Sequence, residues 1–168
     1  SISRYANEVA GIKELGLATL GEAIKLRMEL PHLKFEASVF SELQFDSKEH
    51  RELYQSHRII PVISDLEDLE TFLRDSGFKN SPLRLHFNSG MNRLGVEINQ
   101  LEEVITKLKR AGRLSIDHLS THFACAANSM KSNSHNKRQL ECWSKLKSEL
   151  KGSGISIEKS SLSNSGAI

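Results

Sequence analysis

The feature that most limits what this chain can fold into is its repeated change of hydrophobic period. Short apolar or alternating runs are followed by a hydroxyl- or carboxylate-bearing turn, then by apolar residues at helical spacing. Leu15-Gly16-Leu17-Ala18 reads as a short buried strand. Thr19-Leu20-Gly21-Glu22 then has the capping-box pattern, a hydroxyl cap with a carboxylate three residues on. The helix it opens carries Ala23, Ile24, Leu26, Met28 and Leu30 and stops near Pro31. Lys34 to Phe40 is the next expected strand, and Asp46 to His57 a polar helix. Ile59 to Ile63 is a β-branched run and hence a strand. Ser64-Asp65-Leu66-Glu67 reads as a second capping box, whose helix buries Leu66, Leu69, Phe72 and Leu73 and ends at Gly77. Ahead of all this, Ser3 to Gly11 reads as the end of a helix.

The second half repeats the scheme. Leu83 to Gly95 begins as an alternating run, with Leu83, Leu85 and Phe87 on one face and Arg84 and His86 on the other. It ends in a turn where Gly90 and Gly95 flank Arg93, which places that arginine on a loop just past a strand end. In parallel α/β folds that is where chemistry is done. Gln100 to Arg110 is helical, with Leu101, Val104, Ile105 and Leu108 in one stripe and Gly112 as stop. Leu114 to Phe123 contains a strand leading to Thr121-His122-Phe123, and Asn128 to Asn136 is a polar loop. A long helix with Leu140, Trp143, Leu146 and Leu150 ends around Gly152 and Gly154, and Ile155-Ser156-Ile157 is a last strand. Strand and helix alternate throughout, which argues for parallel βαβ units and an α/β fold.

At 168 residues the chain can bury a real core. The formal net charge is +2 with the signs interspersed, which gives no case for nucleic acid or an anionic membrane as partner. No apolar run approaches the roughly 18 residues of a membrane span, and no signal peptide is visible, so a cytoplasmic location is expected. Cys125 and Cys142 lack metal-ligand spacing, so no metal site is expected, and two reduced thiols are favoured over a disulfide.

Several stretches resemble the alanine racemases, barrel enzymes that use pyridoxal phosphate. Asn88-Ser89-Gly90-Met91-Asn92-Arg93-Leu94-Gly95 is similar to that family's DTGMGRLG, and Gly16 to Ala23 with Leu26-Arg27 to its GVATLEEA…LR. Ile60-Pro61-Val62-Ile63-Ser64 resembles TPVVHS, Thr121-His122-Phe123-Ala124 matches THFA, and Asn164-Ser165-Gly166-Ala167 resembles ANSAA with glycine for one alanine. The resemblance implies a partial TIM (β/α)8 barrel. About six strands are readable where a closed barrel has eight and about 250 residues, so residues 1–168 are expected to be the central part of an N-terminal cofactor-binding barrel. By the same resemblance the family's C-terminal β-domain is expected to lie outside residues 1–168.

By the same resemblance Arg93 hydrogen-bonds the cofactor's phenolic oxygen and helps hold the substrate carboxylate, a task suited to a planar guanidinium. His122 packs against the pyridine ring. Asn164 and Ser165 bind the phosphate at a βα turn, where N–H groups and a hydroxyl favour an anion. On local sequence alone Asn164-Ser165-Gly166 is an ordinary turn and Arg93 an exposed loop arginine.

Three positions depart from the family pattern. His86 stands where many relatives carry a lysine that becomes carbamylated and steadies the arginine, Asn88 stands where aspartate is common, and Ser161 stands where histidine is frequent. The cofactor-bearing lysine of the family lies in a KANAYGHG segment that is not present here, and Lys13 and Lys34 sit in unsuitable contexts. The family's second base, a tyrosine, comes from its later domain. Racemisation needs an acid and a base on opposite faces of the substrate carbon. The catalytic bases are therefore not assigned to any residue here, and residues 1–168 alone are expected to be inactive.

The function implied is interconversion of L- and D-alanine, feeding peptidoglycan synthesis, by a homodimer whose sites are completed by the partner's second domain. Two alternatives stand beside it. Asn88-Ser89 is similar to the broad-specificity amino-acid racemases. A non-catalytic pyridoxal-phosphate-binding barrel is the other, against which the arginine loop speaks.

Overall fold

A computed structural model describes residues 11–32, 34–41, 43–124 and 134–162. Parallel strands alternate with helices, as the two-period pattern requires. The chain divides into two compact units, Ser1–Val62 with Asp75–Ser81, and Ile63–Arg74 with Pro82–Ile168.

In the first unit β1 (Glu14–Leu17), α1 (Leu20–Glu29), β2 (Glu36–Val39), α2 (Lys48–Ser56) and β3 (Ile59–Ile63, all but its last residue) follow one another. β1 pairs parallel with β2, and β2 with β3. The capping box opening α1 is present: Glu22 N–H donates to Thr19 Oγ1 at 3.3 Å, and Glu22 Oε2 accepts from Thr19 N–H at 3.2 Å. Leu26, Phe35 and Ala37 are buried, with Leu15, Leu17 and Leu30 packed against them. Each large apolar side chain so buried contributes about 1.5–3 kcal/mol. Phe45 stacks on Phe78 with ring centroids 5.2 Å apart, and Arg51 Nε donates to Asp75 Oδ2 at 2.9 Å.

The second unit holds α3 (Leu66–Arg74), β4 (Arg84–Asn88), β5 (Val96–Glu97), α4 (Leu101–Arg110), β6 (Ser115–Ser120), α5 (Ser134–Gly152) and β7 (Ser156–Ser161). β4 pairs parallel with β5 on one side and β6 on the other, and β6 pairs with β7. Leu83, Leu85 and Phe87 are fully buried, as the alternation requires. α4 buries Leu101, Val104 and Leu108, with Glu102 and Glu103 in its first turn and Lys107, Lys109 and Arg110 in its last, the arrangement its dipole favours.

Local details differ from the sequence expectation. β1 is half-buried rather than buried, because it pairs only with β2 among the described residues. The second cap is shifted by one residue: Asp68 N–H donates to Asp65 Oδ1 at 2.8 Å, so the carboxylate of Asp65, not Ser64, precedes α3. α3 ends at Arg74, and Ser76–Phe78 forms a 3-10 turn in which Asp75 Oδ1 accepts from Gly77 N–H at 2.9 Å. The polar stretch read as a loop to Asn136 turns helical at Ser134, and β7 extends to Ser161. β5 has no counterpart in the sequence reading. The helix read over Ser3 to Gly11 falls, but for Gly11, outside the described residues, as do residues 125–133. No helix of the described residues is long and apolar enough to cross a membrane.

Candidate active site at the ends of the second-unit strands

Arg93 lies on the loop between β4 and β5, and His122 directly follows β6. The two strands are adjacent, with Arg84 opposite His118 and His86 opposite Ser120. Arg93 is exposed and His122 half-buried. Asn164 and Ser165 lie outside the described residues.

The arginine loop is shaped from within by Asn88, which is 7% exposed and uses its whole carboxamide. Its Nδ2 donates to Asn92 Oδ1 at 2.9 Å and to Glu97 Oε1 at 2.8 Å. Its Oδ1 accepts from Gly90 N–H and from Asn92 N–H, both at 3.0 Å. Asn92 takes a left-handed conformation, φ 56°, which asparagine tolerates better than most residues. Gly95 returns the chain to β4 at φ 117°. A Cβ there would lie 2.5 Å from Asn88 N and 2.6 Å from the Phe87 carbonyl carbon, so only glycine permits the approach. Phe87 then pairs with Val96, and Asn88 with Glu97.

His86 occupies the same face of β4 as Asn88. Its Nδ1 is 3.0 Å from Ser120 Oγ, and Ser120 Oγ is 3.3 Å from the Leu85 carbonyl. The carbonyl can only accept, so the hydroxyl proton goes to it, and His86 carries its own proton on Nδ1 as donor to Ser120. Burial, then the nearness of His122 and Arg93, push His86 down from 6.5 to about 4. Burial and the Arg93 guanidinium hold His122 below its ordinary value. Arg93, His86 and His122 therefore share one electrostatic environment, with one permanent cation beside two imidazoles that resist protonation.

A third set of contacts ties these segments to α5. Gln139, 1% exposed, donates from Nε2 to Ser89 Oγ and to the His122 carbonyl, each at 3.1 Å, and its Oε1 accepts from Ala124 N–H at 3.1 Å. Ser89 Oγ is 2.7 Å from Thr121 Oγ1, which is 2.8 Å from the Phe87 carbonyl. Sequence reasoning does not single out Gln139, Ser120 or Glu97, and takes Ser89 and Thr121 only as parts of motifs. The available signal is a polar residue, Gln139, four positions before Trp143 on the buried stripe of α5. Ser161 pairs with a neighbour too, its Oγ lying 2.9 Å from His118 Nε2. Among the described residues no group of three or more His, Cys, Asp or Glu could hold a metal ion.

The residues present suit an anionic cofactor bearing a phenolic oxygen. The guanidinium of Arg93 is exposed, both flanking imidazoles are disfavoured as cations, and Glu97, the nearby carboxylate of the loop, is engaged by Asn88.

The chain is 32% identical over 114 residues to the alanine racemase of Rickettsia bellii, covering 67% of this chain and 26% of that protein. It is 26% identical over 161 residues to that of Helicobacter pylori, covering 94% and 41%. It spans well under half the length of these relatives. Among solved structures, alanine racemase from Clostridium difficile superposes with a TM-score of 0.78 at 20% identity, over 99% of this chain and 45% of that one. Alanine racemase from Bartonella henselae, solved with covalently bound pyridoxal phosphate, gives 0.73 at 22% identity, over 94% and 43%. The shared fold is part of a TIM barrel. Residues 2–168 match the family model described as alanine racemase, N-terminal domain, and the chain belongs to that family.

Proposed function

We propose that this chain is the central part of the pyridoxal-phosphate-binding barrel of an amino-acid racemase that interconverts L- and D-alanine. Family membership over residues 2–168 supports the activity, and the grouping of Arg93 with His86 and His122 at the β4 and β6 ends is the observation that carries it. Pyridoxal phosphate, when bound, supplies an electron sink for the pair left behind as the substrate's α-proton departs. Arg93 would hold its phenolic oxygen and the substrate carboxylate, His122 would pack on its ring, and Asn164 and Ser165 would hold its phosphate. His86 keeps its proton on Nδ1 toward Ser120, so at neutral pH it presents a neutral ring and leaves the positive charge to Arg93. The two bases come from outside the residues assigned here, the second from the partner's later domain in a homodimer. The product serves peptidoglycan synthesis in the cytoplasm.

The test uses the full-length protein with added pyridoxal phosphate and L-alanine, following loss of optical activity. The wild type is expected to racemise alanine, and Arg93→Ala to fall about 100-fold or more in kcat/KM, the scale for losing a charged group that binds the reacting molecule. A cofactor-loaded wild type that leaves L-alanine optically unchanged overturns the assignment. A panel of larger amino acids separates an alanine enzyme from a broad-specificity one.

A further inference from the structure

We propose that Gln139 is a positioning residue for this site, fixing the spacing between the Arg93 loop and His122 through a directed chain of hydrogen bonds. The inference rests on the racemase reading for its ligand but on distances for its geometry. Gln139 Nε2 can only donate, and the Phe87 carbonyl at the other end can only accept. The hydroxyls between them therefore take one order: Gln139 Nε2–H to Ser89 Oγ, Ser89 O–H to Thr121 Oγ1, and Thr121 O–H to Phe87 O. Every proton in the chain is used, and reversing any one leaves a buried donor or acceptor unmatched. Ser89 and Thr121 are 7% and 4% exposed, so water does not replace a lost partner cheaply.

The second N–H of Gln139 goes to the His122 carbonyl, and its Oε1 accepts from Ala124 N–H. One carboxamide on α5 thus grips the first residue of the Arg93 loop and the backbone of His122 and Ala124. Asn88 sets the inner shape of that loop, and Gln139 sets where the loop stands relative to the end of β6. An anion bridged by Arg93 while resting against His122 needs that spacing held. No side chain but a primary amide offers two donors and one acceptor in this plane, so glutamate of the same length and methionine of similar volume both fail differently.

The experiment compares wild type, Gln139→Met and Gln139→Glu in the full-length protein with pyridoxal phosphate, using only variants whose circular dichroism shows them folded. Gln139→Met is expected to lose about 10- to 100-fold in kcat/KM for alanine, chiefly through KM. Gln139→Glu is expected to match Gln139→Met at pH 9 and to recover on acidification, where the protonated carboxyl regains one donor. A purely structural glutamine would lower stability and leave both profiles parallel to wild type. The second readout needs no activity: the titration midpoint of the His122 ring proton by NMR. Burial and then the Arg93 guanidinium hold that midpoint down, and His86 is the other titratable group facing it. In Gln139→Met it should rise toward 6.5 as the loop moves off. A folded Gln139→Met with wild-type kcat/KM, or in an inactive wild type an unmoved His122 midpoint, overturns the proposal. Inactivity of the wild type itself bears on the racemase reading alone.

Discussion

Replacing Asn88 by aspartate changes one atom and reverses the polarity of half its contacts. The acceptor survives: a carboxylate still receives Gly90 N–H and Asn92 N–H. The donor does not. The bond to Asn92 Oδ1 at 2.9 Å is lost, at about 1 kcal/mol, and the charge-assisted bond to Glu97 at 2.8 Å is lost at about 1.5 kcal/mol, the low end because Glu97 is exposed. Two carboxylates now face each other across that distance, while the stronger acceptor on the two amides offsets part of the loss. The net is roughly 2 kcal/mol against the closed loop, about a 30-fold rise in its opening equilibrium. Native-state hydrogen exchange of the Gly90 and Asn92 amides at pH 7 reads this directly, as about a 30-fold loss of protection in Asn88→Asp. Adding Glu97→Gln restores a donor facing the introduced carboxylate and should return protection to within about 3-fold of wild type. Unchanged protection in the single variant, or no recovery in the double, refutes the pairing as the loop's organiser.

Other outcomes follow from the same geometry. His86 is held near 4 when folded against 6.5 when free, so the unfolded chain takes up the proton first as pH falls; its contribution is complete above about 6.5, is lost toward about 4, and totals roughly 3 kcal/mol. Denaturant midpoints measured from pH 7 to 4 should therefore fall less steeply in His86→Gln than in wild type, and equal slopes would refute it. Gly95→Ala forces a Cβ to 2.5 Å from Asn88 N at φ 117° and should cost about 2 kcal/mol or more, seen as a lower midpoint and lost protection at Val96. Thr19→Ala removes the α1 cap and should cost about 1 kcal/mol by thermal unfolding, with Thr19→Asn near neutral.

The repeating architecture is legible in the sequence because it is written in periodicity. Ile59 to Ile63 is a strand to the residue, and the Thr19 to Glu22 box caps its helix as read, since both depend on neighbours a few positions away. What local reading misses is set by distant partners. Asp65 rather than Ser64 caps α3, a choice between adjacent candidates that backbone direction decides. Leu140, expected on the buried stripe of α5, is half-buried, while the adjacent Gln139 is buried. A glutamine can occupy such a place only if donors and acceptors meet it there, and these come from positions 89, 122 and 124. Arg93 and His122 are legible as a motif pair through resemblance. That Asn88 faces inward, committed to the loop, is not, because its partners at 90, 92 and 97 meet it only once the loop folds back on β4.

The pairing of β5 with β4 closes the segment from Ser89 to Gly95 into something like a ring whose clasp is its own parent strand. Surface connections ordinarily tolerate length change. This one should not: a single inserted residue would turn Val96, 1% exposed, outward and Glu97 inward, and with them the polarity of the clasp. Variation in this stretch is thereby channelled into substitutions at fixed length, and the distance from Arg93 to each end of the ring becomes an invariant of the architecture.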